Sequence, residues 1–354
     1  MEITSEKVLH ALSFVIEPDL KKDLVSLGLV SDINIHGDVV YFKVQVSNPA
    51  MHNKKRVEEA CEHQIHLKIS DKVQVRADIV GMEKENSEDP SLRKVLPGVK
   101  NIVAVASGKG GVGKSTITSN LAAGLAKKGF KVGLIDADIY GPSAPIMFDV
   151  ADQKPGMKQV ADKSMMTPVE SYGVKILSIG FFAQDDQAIV WRGPMASKAL
   201  TQMVSDVDWG ELDYLLIDLP PGTGDIHLSI VQAVPLTGAV VVSTPQPVAL
   251  ADARKGINMF ALDSIKVPVL GLVENMSWFT PAELPDNKYY IFGKDGAKEL
   301  SEKMKVPLLG QIPLVQSIRE SGDVGRPAIL QETTPQAKAF EELVDNLEER
   351  LKSL

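Results

Sequence analysis

The stretch Gly108-Lys109-Gly110-Gly111-Val112-Gly113-Lys114-Ser115-Thr116 constrains this chain more than any other. It fits G-x-x-x-x-G-K-[ST], the pattern of a loop that wraps a phosphate chain. The apolar run Ile102-Val103-Ala104-Val105-Ala106 precedes it and reads as a buried strand. The helical pattern Leu121-Ala122-Ala123-Gly124-Leu125-Ala126 follows it. Strand, glycine-rich turn and helix in that order predict an α/β unit. The glycines let the backbone curl so that several N–H groups face one anion. The first turn of the helix adds its positive end. Gly108, Gly110, Gly111, Val112, Gly113, Lys114, Ser115 and Thr116 are therefore the candidate phosphate-binding residues. Lys114 is expected to reach the outer phosphates of a nucleotide, and the Ser115 hydroxyl to ligate Mg²⁺.

Later carboxylates complete such a site. Lys131 to Asp138 reads as a strand closing on Asp136 and Asp138, which share a parity and leave the sheet at its carboxyl edge. Ligands of open α/β sheets bind at that edge. Asp138 is a candidate site residue at that edge; the alternative is a turn or N-cap aspartate. Tyr214-Leu215-Leu216-Ile217-Asp218 is an apolar run ending in an acid, and Asp218 is the candidate Mg²⁺ carboxylate. Pro220-Pro221-Gly222-Thr223-Gly224-Asp225 follows and looks like a switch loop that would sense the γ-phosphate. Val273-Glu274-Asn275-Met276 closes the apolar strand Val269–Val273, and from its place alone Asn275 reads as a strand-end turn residue.

A chain of 354 residues exceeds one average domain. The polar stretch 82–98, broken by Pro90 and Pro97, predicts a linker. It divides a unit at 1–81 from one at 99–354. In the first, a helix over Lys7–Phe14, a strand over Val40–Val46, a helix over Asn53–Ile65 and a strand over Asp71–Val80 predict a small α+β domain of order α-β-α-β. In the second, strands near 102–106, 132–135, 174–179, 214–218, 239–243 and 269–273 predict a doubly wound, mostly parallel sheet with helices on both faces.

Net charge is −8, so no basic field speaks for nucleic acid or an anionic membrane. No run reaches transmembrane length, and the first residues lack a signal-peptide pattern; the expected compartment is the cytoplasm. Cys61 is the single cysteine. His52, His63 and His66 stand near it, yet Cys61 and His63, two apart on a helix, do not share a face.

Lys109 is a second lysine inside the loop, and with it the loop resembles the deviant P-loop of the MinD, ParA, nitrogenase-iron-protein and arsenite-pump ATPases. That resemblance implies a homodimer bridged by ATP, with Lys109 reaching the partner's nucleotide and Asn275 bonding adenine. The segments Ile16-Glu17-Pro18-Asp19-Leu20, Leu27-Gly28-Leu29-Val30 and Ser47-Asn48-Pro49-Ala50-Met51 resemble the MIP18-like domain of iron–sulfur assembly factors. Many of its members carry a cysteine near the position of Met51.

Taken with Asp136 to Ser143, Trp191-Arg192-Gly193-Pro194-Met195, Asp218 to Asp225 and Glu274-Asn275-Met276-Ser277, nearly the whole chain resembles the Mrp/ApbC family of iron–sulfur cluster carrier ATPases. The resemblance implies slow ATP hydrolysis, catalytic roles for Asp138, which would orient the attacking water, and for Lys109 and Lys114, and delivery of a cluster to apoproteins with assembly factors as further partners. One departure is plain. The family's C-x-x-C after Asn-Met-Ser is absent from Trp278 to Gly293. Soft thiolates suit iron–sulfur ligation and the hard oxygens found here do not. Three readings follow: a carrier whose cluster is held atypically or by a partner, an ATP-switched adaptor without one, and a ParA/MinD-like partitioning ATPase. The last is disfavoured by a C-terminal helix, capped by Thr334 and Pro335, of mixed rather than basic charge.

Overall fold

A computed structural model describes residues 3–17, 22–46, 51–81, 96–160, 163–182, 193–281, 283–284 and 286–354. Most of the predicted linker, 82–95, lies outside the described residues, as do Pro18 to Leu20, Ser47 to Ala50, Trp191 and Arg192. The chain forms two compact units, Met1–Glu88 and Asp89–Leu354.

The small unit runs α1 (Ser5–Leu12), β1 (Val30–His36), β2 (Val39–Val46), α2 (Met51–Lys68) and β3 (Gln74–Gly81). Its sheet has the order β1-β2-β3, with β1 antiparallel and β3 parallel to β2. The predicted order lacked β1. That strand carries Ser31, Asp32, Asn34 and His36 and breaks register between Ser31 and Asn34, with Asp32 at φ 55°, so the two-residue alternation that marks a strand is lost. Val40, Phe42, Val44 and Val46 all turn inward from β2 onto Val57, Cys61 and Ile65 of α2. Cys61 is thus a core residue.

The large unit holds an eight-stranded sheet. Its chain order begins β4 (Val99–Ser107), α3 (Lys114–Lys127), β5 (Val132–Asp136) and α4 (Ala144–Met147). A separate antiparallel hairpin follows, β6 (Gly156–Val160) and β7 (Lys163–Thr167), then β8 (Val169–Ser171) and β9 (Val174–Ser178). The remainder is α5 (Gly193–Ser205), β10 (Leu212–Asp218), α6 (Asp225–Ala233), β11 (Gly238–Ser243), α7 (Pro247–Phe260), β12 (Val269–Phe279), α8 (Gly296–Met304), β13 (Leu308–Leu314), α9 (Gln316–Asp323) and α10 (Pro335–Lys352). Across the sheet the order is β13-β12-β11-β4-β10-β5-β9-β8. All neighbours are parallel except the edge pair β8–β9. This is the doubly wound, mostly parallel sheet expected from the sequence, extended by β8 and β13.

The sheet is buried on both faces, as parallel sheets are. Ile102, Ala104 and Ala106 of β4 pack into one core with Ile257 and Phe260 of α7. Val103 and Val105 pack into the other, with Ile117 and Leu121 of α3 and Phe340 and Leu343 of α10. From β4 the chain builds outward to β5 and β9, returns to β10, and then crosses to β11, β12 and β13. The switch point of this order lies at β4, so the loop after Ser107 opens into the crevice at the carboxyl edge.

Candidate functional site

Two glycines of the loop have no substitute. Gly113 begins α3 from a left-handed conformation, φ 81°, and a Cβ there would collide with the Asn275 side chain. Gly108 lies against the α7 backbone at Asp252, again with no room for a Cβ. The Ser107 hydroxyl donates to the Lys109 carbonyl at 3.0 Å and fixes the loop's entry.

Lys114 lies in the first turn of α3 with its ammonium turned down to the sheet edge. Nζ is 2.8 Å from Asp218 Oδ1, 3.2 Å from Ser115 Oγ and 3.5 Å from Asp138 Oδ2. The Thr118 hydroxyl, one turn further along α3, also donates to Asp218 Oδ1 at 2.8 Å. Ser115 and Asp218, the two predicted Mg²⁺ ligands, thus converge on one cationic group. Their hard oxygens suit Mg²⁺, which keeps several waters and takes few protein ligands.

Asp136 is fully buried at the end of β5. Its Oδ2 accepts from the Ala144 N–H at 3.0 Å and the Ser178 hydroxyl at 2.9 Å; its Oδ1 accepts from the Asp138 N–H at 3.2 Å. Burial above all, and then the charge of Asp218, push its carboxyl up to about 7. Asp136 therefore holds the 138–144 turn in place. Asp138 faces Lys114 with Oδ2, while its Oδ1 accepts from the Tyr140 N–H at 3.3 Å. The turn role and the position facing the site coexist in one side chain.

Two adjoining clefts meet at Gly113, Thr116, Ser143 and Met147. One, about 250 Å³, is lined by Gly110, Gly111, Lys114, Ser115, Asp138 and Pro221. The other, about 370 Å³, is walled by Ile146, Met276, Pro313, Leu314, Val315 and Ile318, with Asn275, Arg319 and Asp323 as polar groups. A polar cleft beside an apolar one matches a phosphate chain joined to a flat base. Asn275 is buried, and its Nδ2 donates to the Val112 carbonyl at 2.9 Å. It braces the loop as well as lining the apolar cleft. Lys109 is half-buried and has no carboxylate partner among the described residues.

Sequence reasoning missed Thr118, Ser178 and the bracing role of Asp136. Thr118 could have been found four residues past Lys114, on the same helix face. Ser178 ends a distant strand, and no local pattern marks it. Glu274 was also missed: it is buried and accepts from the Ala297 N–H at 2.6 Å and Gln311 Nε2 at 2.8 Å, tying β12 to α8 and β13.

A phosphate loop at the switch point of this sheet defines a P-loop NTPase of the MinD/ParA architecture. The chain belongs to the family described as NUBPL iron-transfer P-loop NTPase, which matches residues 98–348. Residues 5–77 match a second family, iron-sulfur cluster assembly protein. An iron-sulfur cluster carrier protein of Synechocystis is 42% identical over 96% of this chain and 95% of its own length. The Escherichia coli K12 protein of the same description is 51% identical over 72% of this chain and 68% of its own. Among solved structures, a nucleotide-binding protein from Archaeoglobus fulgidus in complex with ADP is 39% identical, with a TM-score of 0.60 over 70% of this chain and 94% of its own. The cell division ATPase MinD of Pyrococcus furiosus is 25% identical, with a TM-score of 0.51 over 70% of this chain and 98% of its own.

The residues present do not fit an iron–sulfur cluster as cargo ligated by this chain alone. Cys61 is the one cysteine of the sequence and is fully buried. Burial first, and the charge of Glu58 second, push its thiol up to about 12, away from the thiolate that ligates metal. No group of three or more metal-ligating side chains occurs among the described residues. No helix among them is long and apolar enough to cross a membrane.

Proposed function

We propose that this chain is a homodimeric, Mg²⁺-dependent ATPase that acts in the transfer of iron–sulfur clusters to apoproteins. The observation that carries the ATPase reading is the Lys114 ammonium held among Ser115, Asp138 and Asp218 beneath the glycine loop. Backbone N–H groups from Gly110 to Thr116 cradle the phosphates, and Lys114 moves from Asp218 to the β- and γ-phosphates. Ser115 and Asp218 hold Mg²⁺, which neutralises charge between those phosphates. Asp138 orients the attacking water. Lys109, without a carboxylate partner among the described residues, reaches the nucleotide of the partner subunit. Asn275 and the apolar cleft take the adenine. The small unit at 1–81, followed by the linker 82–98, serves client or assembly-factor contacts; this rests on the match at residues 5–77.

The cluster-transfer reading is supported by the family and by the relatives' descriptions. The burial of Cys61 favours a second reading, an ATP-switched adaptor in the same process that ligates no cluster itself. One experiment addresses both. Purified chain is mixed with ATP, Mg²⁺ and a cluster-loaded thiol protein, and phosphate release is followed beside activation of an apoprotein acceptor. Phosphate release with ATP-dependent transfer supports the proposal. Phosphate release without any effect on transfer sinks the iron–sulfur part alone.

A further inference from the structure

Thr118 stands one turn beyond Lys114 on α3 and is 1% exposed. Residues four apart on a helix are neighbours on one face. Here both side chains meet Asp218, at the carboxyl end of β10. The Thr118 hydroxyl lies 2.8 Å from Asp218 Oδ1 and 2.9 Å from the Lys114 carbonyl. A hydroxyl has one hydrogen to give. In a helix, threonine can return it to the carbonyl four residues earlier. At Thr118 an ionised carboxylate competes from the shorter distance, and a bond to a charged acceptor is roughly twice as strong as one between neutral groups. The hydrogen therefore goes to Asp218.

Lys114 Nζ bonds the same oxygen, also at 2.8 Å. Among the described residues, these two side chains are the donors that reach the Asp218 carboxylate. Their fates differ. On the reading above, Lys114 leaves for the phosphates when a nucleotide binds, and its place beside Ser115 and Asp218 is left to Mg²⁺. Thr118 is uncharged and buried, has no phosphate to follow, and stays. Its branched Cβ restricts χ1 and keeps the hydroxyl aimed. The main chain of Asp218 is held as well, since its carbonyl accepts from the Ala137 N–H at 2.9 Å. The remaining freedom is rotation of the carboxyl group, and one donor fixed on one oxygen opposes it.

We infer that Thr118 is a positioning residue for the magnesium site: its hydroxyl holds Asp218 Oδ1 and presents the carboxylate to Mg²⁺ in the orientation it already has beside Lys114. Partners that orient a metal-binding side chain account for roughly ten- to a hundredfold in metal affinity. The inference rests on the ATPase reading above and extends it to a residue outside the phosphate-loop pattern.

Two substitutions separate the hydroxyl from the shape of the side chain. Thr118→Val removes the hydroxyl and keeps the branching; Thr118→Ser keeps the hydroxyl. The measurement is the affinity for a fluorescent non-hydrolysable ATP analogue, taken with a chelator and then along a Mg²⁺ series. In Thr118→Val the Mg²⁺ concentration that gives half of the tightening is expected to rise by roughly ten- to a hundredfold, with the affinity in chelator unchanged. Thr118→Ser is expected to recover most of that shift. The inference is overturned by a wild-type Mg²⁺ midpoint in Thr118→Val, by a chelator affinity that falls by the same factor, or by an equal shift in Thr118→Ser. Should Thr118→Val not fold, Thr118→Ala removes the same hydroxyl and is read by the same criteria. The wild-type chain distinguishes the two levels of failure. No analogue binding at all removes the ATPase reading and this inference together. Analogue binding that Mg²⁺ does not tighten removes the magnesium site and this inference, and leaves nucleotide binding in place.

Discussion

Lys114 Nζ lies 2.8 Å from Asp218 Oδ1, with both side chains at 5% exposure or less. Each group is proposed to serve a nucleotide, yet in this structure each serves the other. The ammonium compensates a carboxylate cluster of Asp136, Asp138 and Asp218 that burial would otherwise make costly. On the proposed reading, Lys114 would leave this pair when a nucleotide binds, and a Mg²⁺ held by Ser115 and Asp218 would supply positive charge in its place.

Removing the lysine therefore has two effects. Lys114→Ala is expected to abolish tight ATP binding and to lower the stability of the nucleotide-free chain by about 3 kcal/mol, because an uncompensated carboxylate stays buried. Analogue titration and urea denaturation measure the two. A variant as stable as wild type would show that Asp218 is compensated elsewhere.

Asp138→Asn keeps the side chain's size and its bond from the Tyr140 N–H. It is expected to bind ATP normally and to lose hydrolysis by roughly a hundredfold or more, as when a positioned base or acceptor is removed. Hydrolysis at the wild-type rate would take the water-orienting role from Asp138.

Lys109 is expected to act across a dimer interface. Lys109→Ala should retain monomer nucleotide binding but lose dimerisation with a non-hydrolysable analogue, together with hydrolysis. Sedimentation in the presence of the analogue is the measurement, and a dimer of wild-type strength would remove the cross-subunit role.

Asp136 gives the nucleotide-free protein a pH dependence. Its carboxyl is raised from 3.8 to about 7. Between those values the folded chain keeps a proton that the unfolded chain releases, so this group's contribution to stability falls as pH rises and levels off above 7. Urea midpoints across that window should decline in wild type, and the decline should flatten in Asp136→Asn. An equal slope in both chains would assign the dependence to other groups.

Cys61 is expected to be inert. In the native chain its thiol should resist alkylation, and it should react once the small unit is unfolded. Iron and sulfide bound after anaerobic reconstitution should be the same in wild type and Cys61→Ala. A loss of iron in the variant would bring Cys61 back as a ligand.

The phosphate loop, the strands that end at Asp136 and Asp218, and the doubly wound sheet were legible because each is a local pattern. A glycine spacing, an apolar run and a terminal acid all lie within a few residues of one another. The hairpin at 156–167 and strand β1 were not legible. Their residues are mostly exposed, so burial imposes little alternation on them. Edge strand β13 was missed as well, although Leu309 and Ile312 are buried.

The sequence by itself determined the class of site, since a backbone that wraps phosphate needs glycines at set positions and a lysine at a set distance from them. It also determined that no second cysteine is available in the chain. Only the tertiary structure decided the charge pairing of Lys114 with Asp218, the bracing of the 138–144 turn by Asp136 and Ser178, the Asn275 bond to Val112, and the burial of Cys61. Those partners lie between 8 and 163 residues apart along the chain. What joins them is the parallel sheet, which brings the carboxyl ends of β4, β5, β9, β10 and β12 to one edge. Burial there then sets each group's charge, and neither effect can be read from the neighbours in sequence.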